Sequence, residues 1–141
     1  MKIAVLITLA ILLTSCMETG TPIEGRWYTT AQVAAGEPLY QSYCAACHAS
    51  DGSATDDWRT PGADGNYPPP PLNGTAHTWH HPLEVLDDTI INGGIAFGGV
   101  MPGFGEALGE EDRYAIIAWF QSLWSEDIYA SWLEIEVRSQ D

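Results

Sequence analysis

Residues 44–48 read Cys44-Ala45-Ala46-Cys47-His48. Two thiols one helical turn apart are open to three chemistries: a redox dithiol, half of a zinc site, or covalent attachment of haem. A zinc ribbon needs a second ligand pair, and the chain has none. A thioredoxin-like dithiol sits in a βαβ pattern, and no such pattern surrounds this one. The histidine directly after the second cysteine completes the c-type haem attachment pattern. In that chemistry the two thiols add to the haem vinyl groups as thioethers at one edge of the porphyrin. His48 then turns its imidazole onto the iron from the proximal side.

Upstream, the chain opens Met1-Lys2 and runs apolar from Ile3 to Leu13, interrupted only by Thr8. A charged start before a short apolar core is a secretory signal, and it is shorter than the roughly 20 residues that span a bilayer. No later segment is long and apolar enough to span one. The mature protein is therefore expected to be exported, which suits covalent haem. Leu13-Thr14-Ser15-Cys16 resembles the bacterial lipobox, whose cysteine is lipidated and becomes the mature N-terminus. An ordinary signal peptide with an incidental cysteine is the alternative; position, neighbours and the polar stretch that follows favour the lipobox. Residues 1–15 are then a signal peptide and Cys16 the lipid site. Residues 16–30 form a tether with a reach of at most roughly 50 Å, at about 3.3–3.6 Å per residue. Acyl chains on Cys16, at about 0.8 kcal/mol per buried CH₂, would hold the domain to the periplasmic side of a bacterial membrane.

From about residue 31 to 124 the chain resembles the class I cytochromes c. The lead-in Gly36-Glu37-Pro38-Leu39-Tyr40-Gln41-Ser42-Tyr43-Cys44 is similar to that family's N-terminal helix running into the haem motif. Gly36 and Tyr40 stand four apart on one face, where the family packs its first helix across its last. Pro38 departs from the pattern, and places the helix start near Glu37 rather than Ala31. Past the haem motif the only methionine is Met101, in Gly98-Gly99-Val100-Met101-Pro102-Gly103-Phe104, 53 residues after His48. The resemblance makes Met101 the second axial ligand; filling the core is the alternative role. His/Met ligation raises the potential and closes the iron to substrates.

Between the two lies Pro68-Pro69-Pro70-Pro71-Leu72-Asn73-Gly74. The resemblance implies that the Pro70 carbonyl orients His48 and that Leu72 packs on the proximal haem face. Twenty-one residues separate His48 from Pro70, more than in the short family pattern. The inserted stretch Asp51–Tyr67 reads as a solvated loop, with Trp58 and Arg59 within reach of a haem propionate. His77, His80 and His81 read as a loop leading to the next helix. A second metal, or displacement of Met101 by one of them, are the other readings.

Pro82–Asn92 reads as a helix with Pro82 in its first position and Gly93 as its stop. Glu110–Leu123 reads as another, with Glu110, Glu111 and Asp112 in the first turn, where the helix dipole favours acid. In the tail, residues 125–141, Ile128, Tyr129, Trp132, Leu133 and Glu136 form one stripe of a short helix. That helix either packs on its own core or docks a partner. No strand pattern follows the signal.

The charge balance is 19 acidic to 5 basic residues, a net −14. Such a chain does not bind nucleic acid, which draws on basic surface. Two readings of the acid stand: solubility, or steering toward a partner with a basic docking surface. Together these imply an all-α class I cytochrome c fold with an extended loop after the haem motif and an extra C-terminal helix. It would be a membrane-anchored carrier of one electron on one covalently attached haem c. The alternatives are a haem relay subunit of a larger membrane oxidoreductase and a small haem peroxidase with an open iron site.

Overall fold

The computed structural model describes residues 20–141, so the expected signal peptide and Cys16 lie outside the described residues. It is helical. Helix α1 spans Thr30–Tyr43, α2 Ala45–His48, α3 Leu83–Asn92, α4 Glu110–Ser122 and α5 Glu126–Ser139. Single 3-10 turns at Thr78–His80 and Ile95–Phe97 flank α3. Among the described residues there are no strands, only two isolated bridges, Pro22 with Thr29 and Tyr67 with Gly99. This agrees with the all-α architecture expected from the resemblance.

Helix α1 starts at Thr30, not near Glu37 as Pro38 suggested. A capping box sets the start: Thr29 Oγ1 accepts from the Gln32 amide at 3.3 Å, and Gln32 Oε1 accepts from the Thr29 amide at 2.9 Å. The helix then continues through Pro38, whose exposed side leaves the packing face intact. That face is held by Gly36 and Tyr40, both buried. A Cβ on Gly36 would collide with the Ala115 carbonyl oxygen, so the two backbones cross in contact. Tyr40 lies over Trp119 with ring centroids 4.1 Å apart. Close packing along α4 outweighs the roughly 3 kcal/mol that an internal proline costs.

Helix α4 is buried without interruption from Ala115 to Gln121 and forms the centre of the domain. Its first turn holds Glu110, Glu111 and Asp112, as expected from the dipole. Arg113 clamps α3 to it, giving Nε and Nη2 to the two oxygens of Asp87 at 2.6 and 3.1 Å and Nη1 to the Leu108 carbonyl at 2.9 Å. Helix α3 stops at Gly93 as expected, but Pro82 is its N-cap and offers no side-chain cap. Glu136 of α5 supplies one instead, its Oε2 accepting from the Leu83 amide at 2.7 Å.

The tail helix packs on its own core. Its 14 residues make it as long as α1, and Tyr129 and Trp132 are fully enclosed. Trp132 Nε1 donates to the His81 carbonyl at 3.0 Å. The stretch before α1 is a second correction, because residues 21–30 are not a free tether. Tyr28 is buried, Trp27 Nε1 donates to Gln121 Oε1 at 2.7 Å, and Arg26 pairs with Glu126 while covering the Tyr129 ring. Aromatic burial on α4 and α5 holds this segment down, so a 14-residue reach from the membrane does not apply.

Candidate cofactor site

Helix α1 runs straight into the two-thiol turn. Cys44 is both the C-cap of α1 and the N-cap of α2, and its carbonyl accepts from the Cys47 and His48 amides at 3.1 and 2.9 Å. Ala49 follows at φ 61 and ψ 159, a region that non-glycine residues rarely enter. The Tyr40 hydroxyl secures this bend by donating to the Ala49 carbonyl at 3.0 Å and the His48 carbonyl at 3.3 Å. Cys44, Cys47 and His48 thereby face one cavity of about 770 Å³.

His48 is buried, and its Nδ1 lies 2.8 Å from the Pro70 carbonyl oxygen. The carbonyl can only accept, so Nδ1 carries the proton and Nε2 is left as the basic nitrogen. Burial lowers the pKa of the ring, opposed in part by the Pro70 bond. Pro70 is itself steadied by the two residues that follow it. Thr78 Oγ1 donates to the Pro71 carbonyl at 3.0 Å, the Leu72 amide to the Gly52 carbonyl at 2.8 Å, and Trp124 Nε1 to the Leu72 carbonyl at 2.7 Å. Leu72 lines the cavity beside it.

Met101 lines the same cavity from the loop after α3. That loop is stitched along the last turn of α3. The Gly94 amide donates to the Met101 carbonyl at 2.9 Å, Phe104 to Ile90 at 2.8 Å and Gly105 to Ile91 at 3.2 Å. The inserted stretch reaches over to it as well, the Tyr67 amide donating to the Gly98 carbonyl at 3.0 Å. Its inner edge also brings Trp58 and Arg59 to the cavity, where His77 and His81 join them. His80 is exposed and outside the cavity lining. Among the described residues no three His, Cys, Asp or Glu side chains are grouped to hold a metal ion.

The thiol chemistry separates the readings of the motif. A redox dithiol works through a thiolate held below the ordinary thiol range. Burial first, and Cys47 second, instead push the Cys44 thiol up to about 11. The wall of the cavity is apolar and aromatic, with Leu86, Ile90, Phe104, Ile116 and Phe120 behind the named groups. Among the described residues no Asp or Glu lines it, and the buried Nδ1 of His77 has no partner. A flat apolar group fits this chamber if it takes two thioethers, an imidazole and a thioether sulfur, and carries carboxylates. Haem c is such a group. Tyr40, Thr78 and Trp124 were not legible as supports of the site, because each acts through a tertiary hydrogen bond.

Comparison with known proteins places the chain beside a family. The family described as "Cytochrome C oxidase, cbb3-type, subunit III" matches the chain over residues 31–120. No curated protein and no solved structure matches it.

Proposed function

The chain belongs to this cytochrome c family, and on that premise we propose that it is an exported, membrane-anchored monohaem carrier with His48 and Met101 as axial iron ligands. As a family member it is an electron-transfer protein rather than an enzyme, carries covalently attached haem c and exchanges electrons with a redox partner. Bound haem supplies the reversible one-electron couple. The chain's own residues orient and enclose it: Cys44 and Cys47 take the covalent bonds, and Pro70 fixes the His48 tautomer. The observation that carries the reading is the convergence of Cys44, Cys47, His48 and Met101 on one cavity. His/Met ligation leaves the iron no open position, which suits electron transfer and not peroxidase chemistry.

The lipobox-like Leu13-Thr14-Ser15-Cys16 supports an acyl anchor at Cys16, on the periplasmic side. Thr21 already bonds to Thr30, the Thr30 amide donating to the Thr21 carbonyl at 3.0 Å. At most four residues, Met17 to Gly20, then lie between Cys16 and Thr21, five chain steps that span about 18 Å at full extension. So short a link favours work beside the membrane. The family description adds a second reading, in which the domain is a fixed haem relay within a larger membrane oxidoreductase.

Docking is assigned to the mouth of the cavity. Tyr43, Tyr67, Val85, Ile95, Phe97 and Val100 are exposed there or beside it, Phe97 at 88%. The −14 net charge steers a partner with basic surface from farther away.

Extraction of the native protein in mild detergent tests this reading. The expected product carries one covalent haem per chain, with a mass that begins at Cys16 and includes acyl chains. Stoichiometric co-purification with an oxidoreductase would decide for the relay reading. A chain without covalent haem would overturn both.

A further inference from the structure

One side chain on the cavity wall is left over by the reading above. His77 has a buried Nδ1 with no partner among the described residues, which costs about 1–3 kcal/mol if nothing satisfies it. The ring is also held in place. It stacks on Trp58, with centroids 4.5 Å apart and 17° between planes, and His81 meets it edge-on at 5.3 Å. Arg59 joins the cluster, its guanidinium 4.5 Å from the Trp58 ring centre. All four line the cavity.

The chemistry of haem c says what such a cluster meets. Thioethers form at the vinyl edge of the ring, so the two propionate carboxylates leave from the other edge. They need cationic or N–H partners. His48 is engaged by Pro70, and the Thr78 and Thr89 hydroxyls are spent on the Pro71 and Val85 carbonyls. Arg59, His77 and His81 remain as the cavity-lining groups able to carry positive charge, with no lining carboxylate in competition.

We propose that His77 is the proton-binding partner of a haem propionate and takes up a proton from solvent when the iron gains an electron. This rests on the haem-carrier reading above. The iron receives one electron from the redox partner, His77 receives one proton, and the net charge of the site is unchanged. No other bond is made or broken. The groups facing His77 are Trp58 and Arg59 from the inserted loop and His80 and His81 from its own segment. The cavity-lining residues of α3, Val85, Leu86, Thr89 and Ile90, bring no charge.

The sign follows from these neighbours. Burial foremost, then His81, His80 and Arg59, hold His77 below the ordinary histidine range. A propionate carboxylate beside it acts in the opposite direction, favouring the protonated ring. Reduction removes a positive charge from the iron, so His77 holds a proton more tightly in the ferrous protein. The midpoint potential then falls as pH rises between the ferric and ferrous pKa values. The slope is at most about 59 mV per tenfold change in proton concentration, and flat outside that window.

Spectroelectrochemical titration of the haem-loaded protein from pH 5 to 8 tests this, with His77→Gln and His81→Gln alongside. The expected result is a sloped potential in the wild type, lost in His77→Gln and kept in His81→Gln, with the ferric far-red band unchanged in all three. Should His77→Gln misfold, His77→Asn replaces it and the wild-type slope stands as its own check. A flat wild-type potential, or a slope that survives in the His77 variants, overturns the inference and leaves the carrier reading intact. Absence of covalent haem overturns that reading and the inference with it.

Discussion

The amide of Gly94 donates to the carbonyl of Met101 at 2.9 Å, so the residue that closes the cavity is tied by its backbone to the end of α3. Gly93 makes this approach possible. It sits at φ 76 and ψ −176, a region nearly reserved for glycine, and a Cβ there would collide with the Met101 carbonyl oxygen.

Gly93→Ala is therefore expected to push the Met101 loop outward, at a cost of about 1–3 kcal/mol. Covalent haem should be retained, because Cys44, Cys47 and His48 are untouched. The ferric far-red sulfur-to-iron absorption should weaken, and absorption spectroscopy reads both. An unchanged band would show that the loop does not depend on this turn.

Met101→Ala removes the sulfur itself. The variant is expected to keep its haem, lose the far-red band and bind cyanide and carbon monoxide. A thioether favours ferrous iron, so the midpoint potential should drop by about 59 mV for each tenfold preference lost. Met101→His should stay six-coordinate at a lower potential. A spectrum unmoved by Met101→Ala would point to another ligand, with His77 and His81 already on the cavity wall.

Docking divides into two measurable parts. Phe97, 88% exposed, contributes little to the fold, so Phe97→Ser should leave stability within about 0.5 kcal/mol. Its electron-transfer rate with the partner should fall roughly tenfold, equivalent to about 1.4 kcal/mol. The wild-type association rate should fall steeply with salt, because screening shortens to about 8 Å at 0.15 M. Stopped-flow kinetics against ionic strength checks both, and a rate indifferent to salt leaves the acid as a solubility device.

Cys16→Ala should release the haem protein from the membrane into the periplasmic fraction, provided that signal cleavage occurs elsewhere. Fractionation followed by mass spectrometry checks this. A wild-type protein whose mass contains no acyl chains would remove the anchor.

Short-range chemistry made part of this protein legible in the sequence. The attachment proposed at Cys44, Cys47 and His48 needs five consecutive residues. The end of α3 at Gly93 and the start of α4 at Glu110 need one turn each, and both stand where expected. The Pro70 carbonyl contact to His48 followed from resemblance to a family and is present at 2.8 Å.

Tertiary structure decided what short windows do not encode. Pro38 argued locally for a late start to α1, but the Thr29 cap and the contact of Gly36 with Ala115 carry the helix through it. Residues 21–30 looked like a polar tether until Trp27 met Gln121, 94 positions away, and Arg26 met Glu126, 100 positions away. Glu136 stands in the apolar stripe of the tail helix, and it caps α3 across 53 residues. Trp124 steadies the Leu72 carbonyl across 52. Periodicity, caps and turn residues act within a few positions along the chain. A hydrogen bond between residues fifty or a hundred apart leaves no such local trace, and the packing of α1, α3 and α5 around α4 creates it.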